Sequence, residues 1–254
     1  MGVFGLGNTA VESIKLFFLY IYLRFKRLIG QSANFKLPIK LHLKFRQKPF
    51  VFYIKYILDF HLLKEIFQDE IYRHEFDSEP EVIVDAGSNI GASVVYFRLL
   101  YPDAKIYAIE PHPGCLELLN LNASVHQITV LPAALSAHDE IRKFYFNIEH
   151  WSASLFDRNR GGDGVDVQCL SLSTVMSGNN INCIDILKMD IEGAEFEIFE
   201  NYKEKDKIKL LLGELHPKIT GKSFEYFNLL MPEFKLISSR DEGGHVNVIY
   251  KVKA

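Results

Sequence analysis

Cysteine is scarce, and the three that occur, Cys115, Cys169 and Cys183, lie far apart with no C-x-x-C spacing. That pattern signals neither a zinc cage nor a disulfide framework, and it fits a reducing cytoplasm. Nine histidines are present without one H-x-x-x-H pair, so no histidine-based metal site is expected. No apolar run reaches the roughly twenty residues that span a bilayer. The strongest, from Ile14 to Leu23, contains Lys15 and is stopped by Arg24, Lys26 and Arg27. Its basic residues follow the apolar run, the reverse of a secretory signal. Repeats and low-complexity tracts are missing as well.

What is there is an ordinary globular composition: 254 residues, 48% hydrophobic and 24% charged. Such a chain forms one large domain or two small ones, and it is not disordered, collagenous or disulfide-stapled. The net charge of −3 hides an asymmetry. Residues 1–60 hold ten Lys and Arg against Glu12 and Asp59, a charge of +8, and the remainder carries −11. A basic leader on an acidic body points to an anionic surface as the leader's partner. The Ile14–Leu23 stripe is expected as a helix that docks on the body or lies in a membrane interface.

Asp77-Ser78-Glu79-Pro80 is the clearest punctuation. It divides a leader (1–35) and a small cap (36–78) from a main domain (79–254). In the cap, L-H-L-K-F reads as strand, and Asp59 is placed to cap a helix through Leu62, Leu63, Ile66 and Phe67. From Val82 onward strands are expected at Val82–Asp85, Lys105–Ile109, Ile128–Pro132, Cys183–Met189, Lys209–Glu214, Phe234–Ser238 and Val246–Tyr250. Helices fit at Ala92–Leu100, Pro113–Ala123, Gly193–Asn201 and Ser223–Leu230. Such alternation implies an α/β fold with a parallel sheet covered on both faces. Residues 139–175 break the rhythm and read as a substrate-side insertion, in which Trp151 with Ser152 and Ser154 is a candidate acceptor platform.

Val82 to Gly91 is an apolar strand running into a glycine turn and then a helix. Gly87 and Gly91 permit a sharp turn close to a ligand. Twenty-three residues after Gly87, Glu110 ends the next strand, where a carboxylate can accept from both ribose hydroxyls. A dinucleotide site expects G-x-G-x-x-G. Position 89 is Asn, and the D-x-G-x-x-x-G form instead suits a nucleoside carrying an amino acid, such as S-adenosylmethionine, whose ammonium Asp85 could accept. A second acidic segment, K-M-D-I-E-G-A-E from Lys188 to Glu195, ends another strand, and Glu214 and His216 share one parity at the end of the next. Together these groups are expected to ring one crevice.

These segments resemble the FkbM family of S-adenosylmethionine-dependent methyltransferases. The likeness rests on V-D-A-G-S-N-I-G (Val84–Gly91), A-I-E-P (Ala108–Pro111), A-A-L-S (Ala133–Ser136), L-K-M-D-I-E-G-A-E (Leu187–Glu195) and E-L-H (Glu214–His216). It implies the class I (Rossmann-like) methyltransferase fold, seven-stranded with its last strand antiparallel, and O-methylation of a hydroxyl on a sugar, glycan or polyketide-like acceptor. By the same likeness Asp85, Gly87, Asn89 and Gly91, with Ser88 among them, line the methionine end of the cofactor. Glu110, followed by Pro111, holds the ribose, Ala134 and Leu135 lie near the adenine, and Asp190 sits by the sulfonium. Tyr72 either closes over the amino-acid end or packs in the core.

The hydroxyl must lose a proton to become a good nucleophile. His216 is the first candidate base, with Glu214 to orient it, and Asp190 or Glu192 is the second. Three other classes remain open: a glycosyltransferase holding a metal on Asp190-Ile191-Glu192, a nicotinamide oxidoreductase, and a non-catalytic nucleoside binder. A milder variant is a methyltransferase with a metal on Asp190 and Glu214. The expected partners are a small-molecule, glycan or lipid-linked acceptor and no nucleic acid, in a cytoplasmic protein whose residues 10–30 touch an anionic membrane.

Overall fold

The computed structural model describes residues 3–74, 78–146, 153–155 and 164–253. Asp77, Trp151 and Ser152 lie outside the described residues. Helix α1 (Ala10–Leu28) begins at Thr9, whose hydroxyl accepts the Glu12 amide at 3.2 Å. Leu16 and Leu23, two turns apart, are fully buried, so the helix docks on the body along one stripe. The hairpin of β1 (Asn34–Phe45) and β2 (Lys48–Tyr56) turns at Arg46 and Gln47, both at positive φ, as a two-residue hairpin turn demands. Phe50, Phe52 and Ile54 alternate onto its buried face opposite Leu41 and Leu43.

Helix α2 (Asp59–Phe67) corrects one expectation. Asp59 is its first residue, not its cap, and it turns backward: one carboxylate oxygen accepts the Lys55 and Tyr56 amides at 2.7 and 2.8 Å. It therefore fastens the exit of β2. Burial pushes its carboxyl up to about 6, against the pull of those two backbone bonds.

The main domain follows as β3 (Val82–Ala86), α3 (Ala92–Leu100), β4 (Lys105–Ile109), α4 (Pro113–His126) and β5 (Thr129–Leu131). A small sheet then intervenes, built from β6 (Ala134–Ser136), β7 (Glu140–Phe146), β8 (Ala153–Ser154) and β9 (Val165–Ser171) in the order β6-β9-β7-β8. After α5 (Leu172–Gly178) come β10 (Ile184–Met189), α6 (Glu195–Asn201), β11 (Ile208–Leu215), α7 (Pro217–Thr220), α8 (Phe224–Leu229), β12 (Phe234–Asp241) and β13 (Val246–Val252). Helix α6 starts two residues later than its sequence pattern predicts, because Glu192 and Gly193 both take positive φ, which no helix accommodates.

The seven-stranded sheet has the order β12-β13-β11-β10-β3-β4-β5, with β13 antiparallel to both neighbours and the strands from β11 to β5 mutually parallel. This is the Rossmann-like arrangement of class I methyltransferases. The chain leaves β3 outward to β4 and β5, then returns to add β10 on the other side. A crevice therefore opens at the carboxyl ends of β3 and β10, the place where open α/β sheets bind ligands.

Two apolar clusters cover the two faces. One joins Leu16, Leu23, the hairpin and α2 to Ile83, Ile106 and the inner sides of α3 and α4. The other joins Val84, Leu187 and Leu211 to α5, α6 and α8. The N-terminal elements thus share their core with one face of the main sheet. Asn122, fully buried in α4, fastens that junction: its amide oxygen accepts the Tyr53 N–H at 2.7 Å, and its nitrogen donates to the carbonyls of Tyr53 (3.2 Å) and Ile90 (2.8 Å). On the opposite edge of the hairpin, Gly7 bridges Leu43.

Candidate active site

A cleft opens at those carboxyl ends, where small-molecule sites of open α/β sheets lie. Of the expected cofactor residues it gathers Gly87, Asn89, Glu110, Pro111, Ala134, Leu135 and Asp190, with Glu192 beside them. It adds residues that the sequence did not single out, chiefly His112, Cys115, Phe144 and Leu155. Phe144 lies in β7 and Leu155 directly follows β8, and their place in the cleft follows from tertiary packing alone.

The turn after β3 dictates its own glycines. At Gly87 φ is +76°, and a Cβ there would lie 1.8 Å from the carbonyl oxygen of Asp190. This glycine is required first by the close approach of the β10 exit. Asn89, at φ 51°, presents its N–H to Glu110 Oε2 at 2.8 Å, and Glu110 Oε1 takes the His112 N–H at 2.8 Å. Each Glu110 oxygen thus spends one acceptor site on the backbone and keeps another, an arrangement that can receive a pair of hydroxyl donors. Burial raises this carboxyl to about 7, although both backbone bonds and Lys188 pull it down.

Three expected cofactor residues stand behind the cleft and do not line it. Asp85 is fully buried and pairs with the buried Lys188 ammonium at 3.2 Å, so the protein itself supplies the cation expected from a ligand. Lys188 also donates to the Gly87 carbonyl at 2.8 Å and lies 5.6 Å from the centre of the Tyr72 ring. Ser88 returns its hydroxyl to the Asp85 carbonyl at 2.8 Å. Gly91 starts α3 at φ +92° under Leu119. Tyr72 packs against Phe97 and Lys188. The buried Lys188–Asp85 pair thus braces β10 against β3 beneath the turn.

The other half of the cleft is acidic. Asp190, Glu192 and His216 present ligand atoms within 4.8 Å of one another, a set able to hold a divalent ion. His216 Nδ1 lies 3.0 Å from Glu195 Oε1, while its Nε2 is 3.5 Å from Glu214 and 3.6 Å from Glu192. Glu214 also meets His245 at 3.2 Å. The shortest contact of His216 is to the fully buried Glu195, which the sequence did not single out, with the expected partner Glu214 on the other ring nitrogen at 3.5 Å. Glu195 Oε1 also faces the Ile191 and Gly193 amides at 3.3 Å each, so one carboxylate holds both the turn and the imidazole. Ser154 ties the small sheet to the same turn, donating to the Glu192 carbonyl at 2.7 Å.

Charge decides what these groups can do. Burial pulls the His216 imidazolium down, but Glu195, Glu214 and Asp190 outweigh it and carry the group up to about 11. Burial and the neighbouring Glu214 push Asp190 well above the carboxylate range, against Lys188 and His216. Glu214 itself is held below its usual value by His216 and His245 despite its burial. At neutral pH the imidazole therefore already carries its proton.

Comparison with known proteins agrees with this architecture. The model of the methyltransferase FkbM domain matches residues 85–239. Methyltransferase sdnD of Sordaria araneosa is 30% identical over 178 residues, covering 57% of this chain and 69% of that one. The 31-O-demethyl-FK506 methyltransferase FkbM of Streptomyces tacrolimicus is 25% identical over 194 residues, 61% and 74% of the two chains. Among solved structures, the Methanococcus jannaschii fibrillarin pre-rRNA processing protein superposes with a TM-score of 0.50 at 13% identity, over 85% of this chain and 83% of that one. A likeness at that identity concerns the fold alone.

Proposed function

Because the chain belongs to the FkbM family of S-adenosylmethionine-dependent methyltransferases, we propose that it transfers a methyl group to a hydroxyl of a sugar, glycan or polyketide-like acceptor. Family membership removes the glycosyltransferase, the oxidoreductase and the non-catalytic binder. The observation that carries the cofactor reading is Glu110, a buried carboxylate in the cleft with one acceptor site left on each oxygen. That pair of acceptors fits a ribose diol, and the apolar side chains of Leu135, Phe144 and Leu155 beyond it fit an adenine. Gly87, Asn89 and Asp190 would then flank the methionine end.

When bound, the cofactor supplies a methyl group already activated by its sulfonium. The protein's own work is to align the acceptor oxygen with the carbon–sulfur bond and to take up the hydroxyl proton. His216 cannot take a proton that it already holds, so we place Asp190 first as base. Its carboxyl, raised to about 8, is ionised in part at neutral pH and fully at mildly alkaline pH, where the His216 imidazole is still protonated, and it lines the cleft. Glu192 is the alternative acceptor of the proton. His216, fixed by Glu195, supplies positive charge beside these carboxylates.

Titration calorimetry with S-adenosylhomocysteine, S-adenosylmethionine, NADH and UDP-sugars tests the cofactor, and failure to bind the first two would overturn the proposal. Labelled cofactor incubated with soluble and lipid-linked glycan fractions identifies the acceptor. Lipid-linked acceptors belong to the proposed class, presented at a membrane that residues 10–30 touch. The Asp190, Glu192 and His216 set favours one second reading, in which these residues, with the His216 proton given up, would hold a divalent ion whose charge would lower the pKa of the acceptor hydroxyl. Turnover that survives chelation and does not rise with added Mn2+ or Zn2+ would remove it.

A further inference from the structure

Docking of α1 through Leu16 and Leu23 leaves its opposite side without a protein partner among the described residues. Val11, Ile14, Phe18, Ile21, Phe25 and Leu28 recur at steps of three and four, and they are 74, 56, 64, 46, 57 and 84% exposed. At 3.6 residues per turn they fall on one stripe. Phe17 and Tyr22 widen it with further exposed aromatic surface. Isolated exposed apolar side chains are ordinary, but a continuous stripe on one helix marks an interaction surface.

The charges choose the occupant. Lys15 and Arg24 flank the stripe, and Lys26 and Arg27 fill the last turn. The helix has a single acid, Glu12, already paired with Lys15 at 3.3 Å. A second copy of the same face would bring cations against cations with no carboxylate to answer them. Lys15 and Lys26 are held by the Lys40 and Asn34 carbonyls at 2.9 and 2.8 Å, which leaves Arg24, at the edge of the stripe, for an anionic bilayer, and a bilayer also takes up phenylalanine and tyrosine at the headgroup level. No helix among the described residues is long and apolar enough to cross a membrane, so the contact proposed for α1 lies in the plane of the interface.

We propose that the outer face of α1 is an in-plane docking surface for an anionic lipid bilayer, oriented by the Leu16 and Leu23 face that holds the helix on the protein. This deepens the proposed function by naming the surface at which a lipid-linked acceptor is met, yet it stands on the helix alone. The test is co-sedimentation of the full chain with phosphatidylcholine vesicles, with and without about 30% phosphatidylglycerol. Binding is expected to the anionic vesicles only, to weaken about tenfold in high salt, and to be lost in Phe18→Ser/Phe25→Ser. Both side chains are exposed, and unchanged melting and S-adenosylhomocysteine binding confirm the fold of the variant. Equal sedimentation of the variant and the parent overturns the proposal. So does a dimer of the free protein that the same substitutions dissociate. Neither result touches the methyltransferase reading, which the cofactor titration tests separately.

Discussion

Around Glu110 each carboxylate oxygen meets one backbone N–H at 2.8 Å, whereas around His216 three glutamates stand at 3.0, 3.5 and 3.6 Å from one imidazole. The first half of the cleft is held by main-chain donors and its backbone is satisfied, with one acceptor site on each Glu110 oxygen left for a ligand. The second is built from side-chain charges whose balance is left to protons and ligands. A nucleoside, the same in every turnover, suits a fixed frame, and proton transfer suits a set of charges that can be redistributed. Lys188 joins the halves, since it neutralises Asp85 on the first strand while standing on the strand that carries Asp190.

Breaking that joint is expected to have the largest effect. Lys188→Met strands a buried carboxylate and should cost about 3–5 kcal/mol in denaturant unfolding. The double variant Asp85→Asn/Lys188→Met should recover most of the loss, and a single variant as stable as the parent would show that the pair braces nothing. Next comes His216. Its pKa in the folded protein exceeds the unfolded value of about 6.5, so its stabilisation is fully present below that pH and disappears as pH climbs through about 11. His216→Asn should cost about 2 kcal/mol near pH 6 and progressively less toward pH 10. A gap that does not change with pH would mean that the imidazole is neutral in the fold.

Glu110→Gln addresses the satisfied half. Ionisation through about 7 equips Glu110 to receive hydroxyl donors, so S-adenosylhomocysteine affinity should rise between pH 6 and 8 in the parent. The variant should bind about tenfold more weakly, about 1.4 kcal/mol, with a flat profile. A variant that keeps the parent's slope would assign the titration to another group. The smallest expected effect is that of Ser154→Ala, which removes the bond to the Glu192 carbonyl. About 1 kcal/mol of stability should go with it, read as a lower melting temperature, with S-adenosylhomocysteine affinity unchanged.

The sheet was legible from residue patterns because strand and helix periods are local. Each of the seven strands expected from Val82 onward is found, with ends shifted by a few residues at most. Gly87, Glu110 and Asp190 could be assembled because a topological rule brings strand ends together. Partner choice was less accessible. Asp85 carried a plausible ligand role until the β10–β3 register set Lys188 opposite it, a pairing across more than a hundred residues. Glu195 lay in the same motif as Asp190, yet its tie to His216 depends on the left-handed turn at Glu192 and Gly193, which no spacing rule announces. Asp59 shows the same limit at short range: an aspartate at a helix start usually caps it, and here two upstream amides compete successfully.

A two-stranded hairpin standing apart from the main sheet has two open edges, each a template for a foreign strand. Here Asn122 occupies the donor and acceptor of Tyr53 on one edge, and the Gly7–Leu43 bridge occupies part of the other. The asparagine that fixes the hairpin to the β3 turn is therefore also a guard against self-assembly. Its loss would cost more than local stability, because the exposed β2 edge could then recruit a neighbouring chain.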